Sequence, residues 1–137
     1  MADKFEFELV SPEKLLASVS AEMVVVPGAE GDFGVLAGHS PMISGVRPGV
    51  IAIYEGDKVV DRIFVAGGFA EVTAERCTVL AEQAVKVSEI DAAAAEKAVK
   101  DLAEDLADAK SDAERAALEV KLAAAQAKVE ALSSAVH

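Results

Sequence analysis

Apolar and charged residues alternate over FEFELV (5–10), the period-two pattern of a strand that buries one face. Further strand-forming runs cover residues 21–26, 49–54, 59–66, 69–74 and 78–87. Turn chemistry separates them: Ser11-Pro12, the glycine-rich stretch 26–41, Arg47-Pro48-Gly49, Glu55-Gly56-Asp57 and Ala74-Glu75-Arg76. Many short strands at this spacing predict an antiparallel sandwich or barrel. The pair Gly67-Gly68 interrupts an apolar run and predicts a bulge or sharp bend.

The pattern then changes period. Every glycine and proline lies at or before Gly68 and every aromatic at or before Phe69, whereas the last fifty residues hold seventeen alanines. Alanine with Leu, Glu and Lys favours helix. Ala95, Val99, Leu102, Leu106 and Ala109 are spaced by 4, 3, 4 and 3, and Leu118, Leu122, Ala125, Val129, Leu132 and Val136 continue that alternation. This spacing predicts two helices with a narrow apolar seam, made antiparallel by a short link. Ser88-Glu89-Ile90-Asp91 and, more cleanly, Ser111-Asp112-Ala113-Glu114 carry the capping-box pattern, which starts the second helix near Asp112. The organisation is therefore a β domain over 1–87 followed by a helical hairpin over 88–137. Its thin stripe of small side chains predicts weak docking and a movable arm.

Composition narrows the function. The chain has 137 residues, 13 basic against 24 acidic, and a formal charge of −11, with no basic footprint for nucleic acid or an anionic lipid surface. There is no long apolar run and no signal-peptide pattern at the N-terminus, so a cytoplasmic location is expected, with any membrane role exerted through another protein. The single cysteine, Cys77, reads as a small apolar residue near a strand start.

Candidate chemistry centres on residues 26–41, which hold Gly28, Gly31, Gly34 and Gly38 with two prolines and an acidic tip, Glu30 and Asp32, beside Phe33. A shaped stretch of this kind on a rigid scaffold is a place to be touched. It lacks the Gly-Lys-Ser/Thr of a phosphate loop, and its carboxylates would repel phosphate. The alternative reading of the stretch is a plain hairpin connection. His39 is the only internal histidine, without a nucleophile or carboxylate constellation around it, and no metal-ligand spacing occurs. On these grounds the chain is a binding or assembly module rather than an enzyme, with no cofactor expected.

Three motifs in order sharpen that reading: G-A-E-G-D-F-G-V-L-A-G-H-S-P (28–41), Arg47-Pro48-Gly49, and V-A-G-G-F-A-E-V (65–72), with the helical tail following. Along its full length the chain resembles the epsilon subunit family of F-type rotary ATP synthases. The resemblance implies a flattened ten-stranded antiparallel β-sandwich followed by an antiparallel two-helix hairpin. It implies a non-catalytic central-stalk rotor component that joins the gamma subunit to the membrane c ring and couples proton flow to ATP synthesis, on the cytoplasmic face of the inner, energy-transducing membrane. By resemblance, Glu30, Gly31, Asp32, Phe33 and Gly34 meet the c ring, with Asp32 foremost, while His39 and Ser40 face the ring or gamma.

The helical arm in such families reaches the alpha/beta catalytic head and restrains hydrolysis, or folds down around ATP through an Ile/Leu-Asp-x-x-Arg-Ala motif. Here Ile90 and Asp91 match, but Ala94 stands at the arginine position, and Arg115 is the arm's only arginine. The arm carries 6 basic and 11 acidic residues, a net −5. ATP binding is therefore expected to be weak or absent and arm-mediated inhibition modest. The rival readings are a free-standing β-sandwich ligand- or protein-binding module and a small carboxylate enzyme.

Overall fold

Eight strands and two helices follow one another in a computed structural model that describes residues 3–133. The strands are β1 (Phe5–Val10), β2 (Leu15–Ala21), β3 (Met23–Gly28), β4 (Gly31–Val35), β5 (Met42–Gly45), β6 (Gly49–Glu55), β7 (Lys58–Val72) and β8 (Arg76–Lys86). A 3₁₀ turn at Val87–Glu89 leads to α1 (Ala92–Ala107) and α2 (Asp112–Ser133). Val136, assigned to the helical seam, and the terminal His137 lie outside the described residues.

The sheet order is β2-β1-β8-β7-β6-β3-β4, with β5 beside β7. Two long strands turn this path into a sandwich. The first part of β7 pairs with β6 (Gly49↔Val65 to Glu55↔Lys58), and its last part pairs with β5 (Met42↔Val72 to Gly45↔Phe69). β8 follows β7 throughout, and its opening residues also pair with β1 in parallel (Glu6↔Arg76 to Val10↔Leu80). One layer is thus β2, β1, β8, β7 and β5; the other is β4, β3, β6, β7 and β8. The ten strands implied by the resemblance are eight continuous strands, two of which serve both layers.

The bend falls at Gly67 and Gly68, whose φ values are +72° and +102°. The register is unbroken on both sides, from Ala66↔Gln83 to Gly68↔Ala81, so the glycines bend the strand without the extra residue of a bulge. A Cβ on Gly68 would stand 1.8 Å from the Leu80 carbonyl oxygen.

Alternation delivers the core. Phe5, Phe7 and Leu9 point inward from β1 and meet Val24, Val26, Val35, Ile51, Ile63, Val65, Val72 and Val79 from the other strands. Cys77 belongs to this core, and burial pushes its thiol from the ordinary 9.0 up to about 12. A second, smaller cluster lies outside the sandwich. Phe64, Ala66 and Val87, flanked by Val50, Val85 and Ile90, receive Ala124, Ala127 and Ala131 of α2. The arm is therefore docked on the outer face of the β6–β7 layer.

The helical seam follows the sequence spacing. Ala95 is buried, and Val99, Leu102, Leu106, Ala109, Leu118, Leu122, Ala125, Val129 and Leu132 are all half-buried. Ser111 caps α2 by accepting from the Glu114 N–H at 3.1 Å, while the Glu114 carboxylate accepts from the Lys110 N–H at 3.3 Å. The first helix departs from expectation. Its cap is Asp91, which accepts from the Ala94 N–H at 3.1 Å, and not Ser88, which is taken into the 3₁₀ turn.

Two outcomes follow. Gly68→Ala combines a strained backbone with a backbone collision and should lower stability by about 3 kcal/mol or more. Gly38→Ala, at φ +82° with nothing within 4 Å, should cost only about 1 kcal/mol; urea unfolding of both variants checks the contrast. For Cys77, the folded thiol holds its proton more tightly than the unfolded one. Its stabilising contribution is complete below pH 9 and is lost as pH rises toward 12. A Cys77→Ala variant, unfolded in urea across that range, should lack this part of the alkaline decline.

Candidate functional site

The acidic stretch singled out in the sequence divides between two places. Residues 24–35 form a tight hairpin: Gly28 faces Gly31, Pro27 faces Asp32 and Val26 faces Phe33, leaving Ala29 and Glu30 as a two-residue tip. Half of the expected loop is thus strand, 26–28 in β3 and Gly31–Val35 in β4. Gly31 takes φ +134° to close the turn, and Gly28 has no room for a side chain because the Phe33 ring and the Gly31 carbonyl occupy that space.

Strand alternation then sorts the named residues by direction. Glu30, Gly31, Asp32 and Gly34 are exposed, whereas Phe33 is half-buried and packs against the core. Asp32 forms an ion pair with Arg47. Arg47 also donates from Nη1 to the Gly28 carbonyl at 2.5 Å, and its backbone N–H donates to the Pro27 carbonyl at 2.9 Å. One residue therefore grips both strands of the hairpin. Asp32 is spent on shaping the hairpin, which leaves Glu30 as the carboxylate at its tip. The sequence signal was Arg47-Pro48-Gly49, read as a turn and as a family motif but with no partner assigned to the Arg47 side chain.

His39 and Ser40 lie elsewhere, in the connection from β4 to β5. The Gly38 N–H donates to the Ala74 carbonyl at 2.8 Å, which fixes this connection beside the β7–β8 turn. The His39 ring donates from Nδ1 to the Ser40 carbonyl at 2.7 Å. The length of β5 separates this pair from the hairpin tip, whose Ala29 N–H donates to Gly45 at the opposite end of that strand. Ile90 and Asp91, the remnant of the nucleotide motif, have local structural partners: Ile90 joins the cluster beneath the arm and Asp91 caps α1.

A feature invisible in the linear sequence is the outer face of the β2-β1-β8-β7-β5 layer. Register places Leu15 opposite Val10, Val10 opposite Leu80, Leu80 opposite Phe69 and Phe69 opposite Gly45. Leu15, Leu80 and Phe69 are 55%, 41% and 46% exposed, and nearby Ile43 is 71% exposed. A shallow depression of about 470 Å³ runs along this row beside Ser11, Pro12 and Gly68. The row ends at the hairpin, since Gly45 abuts Ala29. Among the described residues, none covers it as α2 covers the opposite face.

Among the described residues, too, no cluster of His, Cys, Asp and Glu is arranged to hold a metal, and no helix is long and apolar enough to cross a membrane.

Comparisons with known proteins converge. The family model for the ATP synthase Delta/Epsilon chain beta-sandwich domain matches residues 4–87, and that for the C-terminal domain of the ATP synthase epsilon chain matches 91–137. The sequence is 60% identical over 139 residues to the ATP synthase epsilon chain of Rhodospirillum centenum, covering 98% of this chain and 95% of that one. It is 52% identical over 135 residues to that of Rhodospirillum rubrum, covering 98% of both. One subunit in the cryo-EM structure of the Euglena gracilis mitochondrial ATP synthase (OSCP/F1/c-ring) superimposes with a TM-score of 0.79 at 26% identity, over 94% of this chain and 81% of that one. One subunit of the Tetrahymena thermophila mitochondrial ATP synthase central stalk and c-ring has the same fold, with a TM-score of 0.70 at 19% identity over 96% and 98% of the two. Both halves of the sequence are matched and full-length relatives exceed half identity, so the chain belongs to the ATP synthase epsilon chain family, the non-catalytic, peripheral central-stalk subunits of that membrane-bound complex.

Proposed function

We propose that this chain seats on the gamma subunit through the outer face of the β2-β1-β8-β7-β5 layer and presents the acidic hairpin to the c ring. The observation that carries this reading is the exposed row of Leu15, Leu80 and Phe69, which runs to the tip of the hairpin. Large apolar side chains aligned across four strands fit a permanent protein partner better than water. The depression beside Phe69 and Leu80 suits an inserted partner side chain.

The hairpin tip at that edge supplies a different chemistry. Glu30 and Gly31 stand foremost, with Asp32 and Gly34 on the same exposed surface, and a carboxylate here can pair with a basic side chain on a ring loop. Phe33 supports the hairpin from within. His39 and Ser40, at the other end of β5, belong with the gamma-facing surface. Joined in this way, the protein turns with gamma and the ring as proton flow drives ATP synthesis. It does so at the cytoplasmic face of the energy-transducing membrane, reaching that membrane only through the ring.

Residues 88–137 act as a regulatory arm toward the alpha/beta catalytic head, and the docked position is its resting state. The arm's charge of −5 weakens any grip on an acidic partner surface, and Asp91 is already used as a helix cap. ATP is therefore a poor ligand for this protein.

Pull-down of tagged protein from detergent-solubilised membranes tests the two surfaces separately. Phe69→Glu with Leu80→Glu should lower recovery of gamma about tenfold or more, whereas Glu30→Lys should keep gamma and lose the ring. Recovery of neither partner by the unaltered protein would leave a free-standing binding module as the better reading. For the arm, a complex lacking residues 88–137 should hydrolyse ATP at nearly the intact rate, and calorimetric titration of the purified protein should show no micromolar ATP binding. A several-fold activation on truncation would reverse the first expectation, and a micromolar isotherm the second.

A further inference from the structure

The hairpin and the arm meet at one side chain. β4 is an edge strand, hydrogen-bonded to β3 alone, so the hairpin depends on props from outside the ladder. Arg47 supplies them through its bonds to the Pro27 carbonyl, the Gly28 carbonyl and the Asp32 carboxylate. The same Arg47 and Asp32, with Pro27 and Val50, form one wall of a cleft of about 240 Å³. Ala127, Glu130 and Ala131 of α2 form the other.

We infer that Arg47 is a positioning residue that couples the docking of the arm to the order of the acidic hairpin. The Arg47 and Asp32 side chains are 43% and 37% exposed in the cleft that α2 walls on its far side, and Glu130 adds a carboxylate to that cleft. Withdrawing the pair from water strengthens its attraction, and the Glu130 charge favours the guanidinium. Undocking α2 opens that cleft and removes Glu130 from it, which weakens the prop, so hairpin order falls. Linkage is reciprocal: a hairpin that has lost Arg47 holds α2 less firmly. Only the consequence for the ring rests on the function proposed above. The coupling is a property of the isolated full-length protein and is tested there.

Two readouts on that protein follow the two ends: amide hydrogen exchange over residues 28–33 for the hairpin, and trypsin cleavage after Lys128 for the arm. Ala131→Glu, which sets a carboxylate against Phe64 and Ala66, should speed cleavage and raise hairpin exchange about fivefold. Arg47→Gln should do both as well, and the double variant should exchange no faster at the hairpin than Arg47→Gln alone. Arg47→Lys should restore part of the protection, because a compact ammonium keeps the charge but lacks the planar fork that reaches Gly28 and Asp32 from separate nitrogens. Unchanged exchange across β1 and β8 identifies the variants whose sandwich is intact. Should Ala131→Glu fail that control, Glu130→Gln is read instead, with smaller changes in the same direction. Faster cleavage with unaltered hairpin exchange, or strictly additive effects in the double variant, would overturn the coupling.

Discussion

The contact between Gly68 and the Leu80 carbonyl is the constraint on which the remaining architecture depends. Only a residue without a Cβ allows β7 to lie this close to β8 while turning through positive φ. The turn lets two covalently continuous strands pass from one layer to the other without losing register. β1, β2 and β5 are thereby set against β3, β4 and β6, and the inward residues of both layers close on one core. A straight β7 would leave one broad sheet with no second layer to cover Phe7 or Ile51.

Once folded over, the sandwich has two outer faces of different character. One carries Leu15, Leu80, Phe69 and Ile43, side chains whose burial removes much apolar area from water. The other receives the arm through alanines, which remove far less. The first face offers the apolar area for a lasting contact, whereas the second holds what docks on it through less buried area. The surface charges follow the same division, since the acidic hairpin stands where the first face ends and Arg47 faces the second.

Much of this was legible in the sequence because local patterns are strong where burial is one-sided. FEFELV alternates and buries Phe5, Phe7 and Leu9; the seam of the helical hairpin appears at the spacing read from Ala95 to Leu132; the Ser111 cap lies where its motif placed it. What was missed lacked a local signature. β4 is a strand made of Gly-Asp-Phe-Gly-Val, whose composition reads as a loop until β3 pairs with it. β2, with LLASVSA, alternates only from Ala17 to Ala21, where the inward residues are small, and Leu15 and Leu16 at its start break the pattern at the register shift opposite Leu9 and Val10. α2 has a second apolar face at Ala124, Ala127 and Ala131, about 150° round the helix from the seam, and alanine on a helix looks the same whether it is buried or not. Asp32 was legible as a carboxylate in a shaped segment, but its bond to Arg47 spans 15 residues and needs the fold to be seen.

The parallel pairing of β1 with β8 has a consequence for how the protein must be made. Glu6 and Arg76 are neighbours in the sheet and 70 positions apart in the sequence. During synthesis β1 can find β2 early, yet Phe5, Phe7 and Leu9 cannot be sealed until β8 has left the ribosome. Loop closure on this scale is slow compared with a hairpin, so an unfinished apolar edge persists through most of the elongation of the nascent polypeptide. The helices come last, when the sandwich that receives them can already exist. Order of synthesis thus matches order of dependence: the arm has nothing to dock on until Phe64, Val50 and Val85 are in place, and the sandwich requires nothing from the arm to close.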